Sequence, residues 1–63
     1  MVTLYYVHTY NHGCNAASRW LVTSTDAAAA EAKVLDNLLG DRYKVLHIWE
    51  VCPTNKEVFM EVS

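Results

Sequence analysis

Three residues that can bind a metal or act in catalysis lie close together near the start of the chain: His8, His12 and Cys14. Histidine nitrogen and cysteine sulfur are preferred ligands of zinc. A fourth ligand would have to come from His47 or Cys52. The spacing matches no established zinc pattern, in which close ligands are paired in two separate halves. We therefore predict that the protein holds neither a metal ion nor a cofactor.

The same segment offers one combination for covalent catalysis, the thiol of Cys14 with a nearby histidine as base. The sequence has no Gly-rich phosphate loop, no Gly-flanked nucleophilic serine and no paired catalytic carboxylates. A chain of 63 residues also has little room for a pocket of the size that small-molecule sites need. We predict no enzymatic activity and no catalytic residue.

The composition is typical of one globular domain that spans residues 1–63, with 52% hydrophobic and 19% charged residues. The net charge of −2 and the pI of about 5.8 argue against a nucleic-acid partner, because such proteins usually carry a basic patch. No apolar stretch is long enough for a membrane span, and the first residues do not resemble a secretory signal. We expect a cytoplasmic protein in which Cys14 and Cys52 stay reduced.

The order of the predicted elements is ββαββ. β-branched and aromatic residues predict strands at 2–10, 17–23, 43–51 and 57–62. Asn11–Asn15 is typical of a hairpin turn in which Gly13 adopts a positive φ, and 52–56 is predicted as a second turn. An alanine-rich helix is predicted over 25–39, with Ser24 or Thr25 capping its start and Gly40 ending it.

The apolar stripe of this helix is predicted to face the sheet. Its members recur with helical spacing, with Leu38 at the edge; they are Ala28, Ala32, Leu35 and Leu39. Lys33, Asp36 and Asn37 would point to the opposite side. The pattern predicts an α+β fold of two layers, an antiparallel sheet with one helix packed on one face.

Seven aromatic residues all fall on predicted strands, more than one short helix can cover. Successive strand residues point to opposite faces of a sheet. If Leu46 and Ile48 face the helix, then Tyr43, Val45, His47 and Trp49 face away from it, and Tyr6, His8 and Tyr10 join them. Aromatic residues often anchor protein interfaces. The predicted partner-binding residues, which include one from the first turn, are Tyr6, His8, Tyr10, His12, Tyr43, His47 and Trp49.

A resemblance accompanies this layout. A hairpin, the segment Val22-Thr-Ser-Thr-Asp-Ala-Ala-Ala-Ala-Glu-Ala-Lys33 and the strand Lys44-Val-Leu-His-Ile-Trp-Glu-Val51 with a closing strand resemble very small phage-encoded inhibitors. These include some type I-F anti-CRISPR proteins and a small phage inhibitor of bacterial RNA polymerase. The resemblance implies a protein that occludes a surface on a bacterial defence or transcription complex in the host cytosol. The polymerase inhibitor has basic residues on its third strand, whereas this chain has His47 and Trp49 there.

Two other interpretations remain open. The aromatic face could be buried in a homodimer, which would make the chain a self-associating accessory or structural module. Alternatively, the face could stack on nucleic-acid bases, as in sheets that resemble an RNA-recognition motif. The second interpretation expects flanking basic residues, and the chain has only five lysines and arginines in total.

Overall fold

The computed structural model describes residues 1–38 and 42–62. These residues form four strands and one helix in the order ββαββ. The elements are β1 (Val2–Asn11), β2 (Ala16–Ser24), α1 (Ala27–Leu38), β3 (Tyr43–Thr54) and β4 (Phe59–Val62). The predicted α+β fold of two layers is confirmed. The described part of the chain contains no helix that is long and apolar enough to cross a membrane.

The four strands form one antiparallel sheet with the order β3-β1-β2-β4. β1 and β2 form the predicted hairpin, while β3 pairs with the other side of β1. Because β2 and β3 both run antiparallel to β1, they run parallel to each other. The chain connects them through α1, which packs across β1, β2 and β3.

The core lies between α1 and one face of the sheet. Its buried apolar residues are Tyr5, Val7, Val22, Ala30 and Val34, with Trp20, Leu38, Val45 and Ile48 packed against them. A buried threonine lies in the same layer: Thr9 Oγ1 accepts a hydrogen bond from Trp20 Nε1 at 3.2 Å and donates to the Ser18 carbonyl at 3.3 Å. Burying this hydroxyl is tolerated because both bonds are made.

The predicted packing face of the helix was wrong. Ala30 and Val34 are fully buried, and Leu38 packs on the core four residues further along. Ala28 and Ala32, which we expected against the sheet, are exposed. The error arises because an alanine-rich segment satisfies several helical stripes equally well, so that periodicity alone does not fix the phase.

The remaining predictions about the helix have different outcomes. Leu35 is half-buried, so its predicted contact is only partial, while Leu39 and Gly40 lie outside the described residues. Lys33, predicted on the far side, donates through Nζ to the Thr23 carbonyl at 3.0 Å. The cap is neither Ser24 nor Thr25.

Asp26 provides the helix cap. Its Oδ1 accepts a hydrogen bond from the Ala29 backbone N–H at 2.7 Å. The carboxylate thereby satisfies one of the unpaired N–H groups of the first turn. α1 begins at Ala27, two residues later than predicted.

β3 is longer and less regular than predicted. It continues through Cys52, Pro53 and Thr54, which we assigned to a turn. Its pairing with β1 shifts register twice, between Leu4 and Tyr5 and between His8 and Thr9. Each shift inserts an extra residue in β3 and reverses the alternation of side chains.

These shifts overturn part of the predicted orientation of β3. Val45 packs on the core instead of facing away from the helix, and Leu46 is 48% exposed instead of facing α1. Ile48 is packed against the core as predicted. Strict alternation of side chains between the two faces does not hold across 43–51, because one residue near position 46 has no partner on β1.

The hairpin turn between β1 and β2 covers residues 12–15. The positive φ falls on Asn15, at 53°, and not on Gly13 as predicted. A Cβ atom at position 13 would lie 3.0 Å from Arg42 Cδ, so a larger residue there would require the Arg42 side chain to move by a few tenths of an ångström.

Candidate functional site

The face of the sheet opposite α1 follows from the burial of β1. Val7 and Thr9 are fully buried beneath the helix. Their neighbours Tyr6, His8 and Tyr10 therefore point to the other side, because successive strand residues alternate. Residues directly opposite in an antiparallel pair share a face, so the register extends this assignment to the other strands.

We call this surface the open face. The residues that the register places on it are Val2, Leu4, Tyr6, His8, Tyr10, Ala17, Arg19, Leu21, Thr23, Lys44, His47, Trp49, Cys52, Thr54, Met60 and Val62. No helix among the described residues lies over this side of the sheet. The largest exposed apolar side chains on it are Trp49, which is 46% exposed, and Met60, which is 52% exposed.

An aromatic cluster lies on the open face where the edge strand β3 meets β1. Trp49 lies opposite Tyr6, with their ring centroids 5.3 Å apart and their planes at 65°. The ring of His47, two residues before Trp49 on β3, also packs on the indole, with the two ring centroids 4.1 Å apart. Edge-to-face pairs of this kind contribute about 0.5–1.5 kcal/mol beyond their burial. The indole is therefore held in place while nearly half of its surface remains in water.

Two histidines lie side by side next to this cluster. His8 on β1 is directly opposite His47 on β3, and on its other side His8 is opposite Arg19 of β2. Three neighbouring strands thus contribute a continuous row of nitrogen-bearing side chains. The row contains hydrogen-bond donors from three strands and no carboxylate.

The turn extends the open face beyond Tyr10. The His12 ring lies 5.1 Å from the Tyr10 ring, and the Tyr10 hydroxyl donates to Asn15 Oδ1 at 2.8 Å. The His12 backbone N–H donates to the Arg42 carbonyl at 2.8 Å, which ties the turn to the start of β3. The turn therefore lies next to the open face, beside Tyr10. Its role in binding stays a prediction.

The structure brings six of the seven predicted partner-binding residues to one side. The exception is Tyr43, which pairs with Asn11 and shares its alternation with Val45, on the side that carries α1. The reason is the register shift near Leu46, which changes the parity between Tyr43 and His47. Tyr43 is thus not part of the open face, contrary to our prediction from the sequence.

Several contributors to the open face were not anticipated, among them Arg19 and Leu21 of β2, Lys44 of β3 and Met60 of β4. The positions of the first two follow from the hairpin register, in which Arg19 lies opposite His8 and Leu21 lies opposite Tyr6. Met60 in turn lies opposite Leu21. Arg19 and Leu21 could have been placed from the sequence, by counting outward along β1 and β2 from a four-residue turn. Met60 could not, because β4 is not joined to β2 by a hairpin turn that would fix the pairing of the two strands.

Metal and nucleophile chemistry gain no support from the geometry. His8 lies on the sheet while His12 and Cys14 lie in the turn, and no three potential ligands of these types come together in residues 1–38 and 42–62. Those ranges also contain no pocket. Cys14 and Cys52 are both exposed free thiols. What the described geometry offers is a surface for contact.

Comparison of the chain with protein-family models, with curated proteins and with solved structures gave no match. The resemblance to phage-encoded inhibitors therefore stays a prediction from the sequence.

Proposed function

We propose that the chain is a non-enzymatic protein-binding module that docks a partner protein on its open face. The observation that carries this proposal is Trp49, a large aromatic side chain on the edge strand β3. It is 46% exposed on a face of the sheet that no helix of the described residues covers. Tryptophan and tyrosine are the residues that most often dominate binding energy at protein interfaces.

The cluster around Trp49 is suited to this role because it is already ordered. Tyr6 and His47 both contact the indole in the free chain. Immobilising a flexible side chain on binding costs about 0.5–1.5 kcal/mol, and most of that cost is avoided when the ring is already held. A partner that covers the indole gains its apolar area with little loss of entropy.

The finer proposal is that binding inhibits a bacterial defence complex of the CRISPR-Cas type or a transcription complex. Its support is the resemblance described above together with an exposed contact face on a very small chain. It can be tested by measuring CRISPR interference in bacteria that express the protein, and by measuring transcription with purified bacterial RNA polymerase. Unchanged activity in both assays would contradict the proposed targets and leave protein binding itself to be judged separately.

The binding proposal is tested by affinity capture with matched variants. The full chain is immobilised as wild type, Trp49→Ala and Phe59→Ala, and proteins captured from bacterial lysate are quantified by mass spectrometry. Phe59 is a suitable control because it is 37% exposed on an edge strand but packs with Trp20 on the face that carries α1. Truncating an interface anchor typically costs about 2 kcal/mol or more, which is roughly a thirtyfold loss of affinity.

We expect a partner that is lost with Trp49→Ala and retained with Phe59→Ala. Both variants are first checked by circular dichroism, so that loss of fold is not mistaken for loss of binding. If Trp49→Ala unfolds the protein, the milder Trp49→Leu replaces it. A captured set that is the same for folded Trp49 variants and for the wild type would show that the open face is not the binding site.

A further inference from the structure

Charge is divided between the two sides of the sheet, which the net value of −2 hides. The open face carries Arg19 and Lys44, since Arg19 lies opposite His8 and Lys44 opposite Tyr10. The histidine pair adds two side chains that become cationic on protonation. The fixed and potential charges that the register places on this face are all positive.

The carboxylates of the described residues belong elsewhere. Glu50 lies opposite the buried Tyr5, and Glu61 lies opposite Trp20, so both are on the side of the sheet that carries α1. The other acidic residues within 1–38 and 42–62 lie in α1, at its cap or in the loop before β4; they are Asp26, Glu31, Asp36 and Glu57. A weakly acidic chain therefore presents an aromatic face with a basic row.

We infer that the occupant of the open face is a protein surface that places Asp and Glu side chains around an apolar centre, an inference that rests on the protein-binding function proposed above. The apolar centre covers Trp49, while the carboxylates lie over Arg19, Lys44 and the histidine pair. Such complementarity of charge fixes register and raises the association rate.

A second copy of the chain fits this face less well. Two open faces brought together would each offer Arg19 and Lys44 and, within the described residues, no carboxylate to pair with them. Like charges that meet at an interface are unfavourable. A single-stranded nucleic acid is also a poorer fit, because the two fixed positive charges of this face neutralise few phosphates.

The test is a nuclear magnetic resonance titration of the ¹⁵N-labelled full chain. The probes are a random copolymer of glutamate and tyrosine, which mimics an acidic surface with apolar groups, and a ten-residue oligothymidylate. The variants are Arg19→Glu on the open face and Lys56→Glu as the control with the same change in charge. Lys56 is exposed in the loop after β3, beside Thr54, which pairs with Val2 at the far end of β1 from His8.

We expect the copolymer to shift resonances of the open face. An exposed ion pair contributes up to about a fivefold change in affinity, and reversing the charge adds a repulsion of similar size. Arg19→Glu should therefore weaken binding about tenfold, while Lys56→Glu should weaken it less than twofold. Raising the salt concentration should also weaken the wild-type complex, since exposed charges are screened.

Four results would overturn the inference. They are an absence of shifts with the copolymer, equal losses for the two variants, tighter binding of the oligothymidylate to the same residues, and a dimer in light scattering that protects Trp49. Failure here is distinguishable from failure of the proposed function. A captured partner that is lost with Trp49→Ala but binds Arg19→Glu normally would retain the protein-binding function and exclude an acidic partner surface.

Discussion

Enlarging Ala30 to leucine should destabilise the protein far more than the same change at Ala32. Ala30 is fully buried in the core that includes Val34 and Tyr5, whereas Ala32 is exposed on the outer side of α1. The two positions lie two residues apart in the middle of one helix. A comparison between them isolates the effect of packing.

The expected magnitudes follow from this difference. Inserting extra methylene groups into a packed interior costs about 1–3 kcal/mol. The intrinsic helix propensities of alanine and leucine differ by only a few tenths of a kcal/mol, so Ala32→Leu should be nearly neutral. A domain of this size has about 3–5 kcal/mol of stability, and each kcal/mol changes Tm by roughly 4–8 °C. Ala30→Leu should therefore lower Tm by about 5–20 °C.

The assay is thermal and urea unfolding of both variants, followed by circular dichroism. A loss at Ala32→Leu that equals or exceeds the loss at Ala30→Leu would refute the observed helix phase and restore the stripe that the sequence suggested. If Ala30→Leu fails to fold, Ala30→Val, which adds one carbon fewer than leucine, gives a smaller loss at the same site.

Three further predictions concern the cap, the histidine row and the cysteines. Asp26→Ala should lower the free energy of unfolding by about 1 kcal/mol in a urea titration, because the hydrogen bond to the first turn of α1 is lost. Thr25→Ala should lower it by less than about 0.5 kcal/mol, and equal losses would contradict the assigned cap. His8→Glu should weaken binding of the glutamate–tyrosine copolymer, because it places a carboxylate between Arg19 and His47 on the open face. Unchanged binding in the same titration would count against an acidic partner. A chelator or a reductant should leave Tm unchanged, because Cys14 and Cys52 are exposed free thiols and residues 1–38 and 42–62 contain no group of three potential metal ligands. A decrease of many degrees with either reagent would reveal a structural metal or a disulfide.

The sequence predicted β1 and its two faces correctly because nothing interrupts its alternation. Tyr6, His8 and Tyr10 fall on the side away from the helix, as expected from their parity. In β3 the same rule failed at Tyr43 and Val45. The extra residue near Leu46 has no marker in the sequence, since the segment contains no glycine, and only the pairing with β1 reveals it.

The helix shows a different limit of sequence reasoning. Its existence was clear from the alanine run, which has high propensity in any phase. The side of the helix that faces the sheet was not clear, because Ala28 and Ala32 are as apolar as Ala30. Packing of Val34 in the core determines which side is buried. The sequence thus predicted most of the aromatic residues and histidines of the open face. The positions of Arg19 and Met60 on the same face become clear only from the register of the whole sheet.

The position of β1 between β2 and β3 has a consequence for how the chain folds. The hairpin with β2 joins residues close in sequence, but the pairing with β3 joins Val2 to Thr54 across most of the chain. Contacts between distant residues slow folding because a long loop must close before they are gained. We expect the β1–β2 hairpin to form early and to remain unfinished along one side of β1 until α1 has carried β3 into place. During that interval the hydrogen-bonding groups of β1 are open to other chains, so the delay before β3 docks is the period in which this protein is most prone to aggregate.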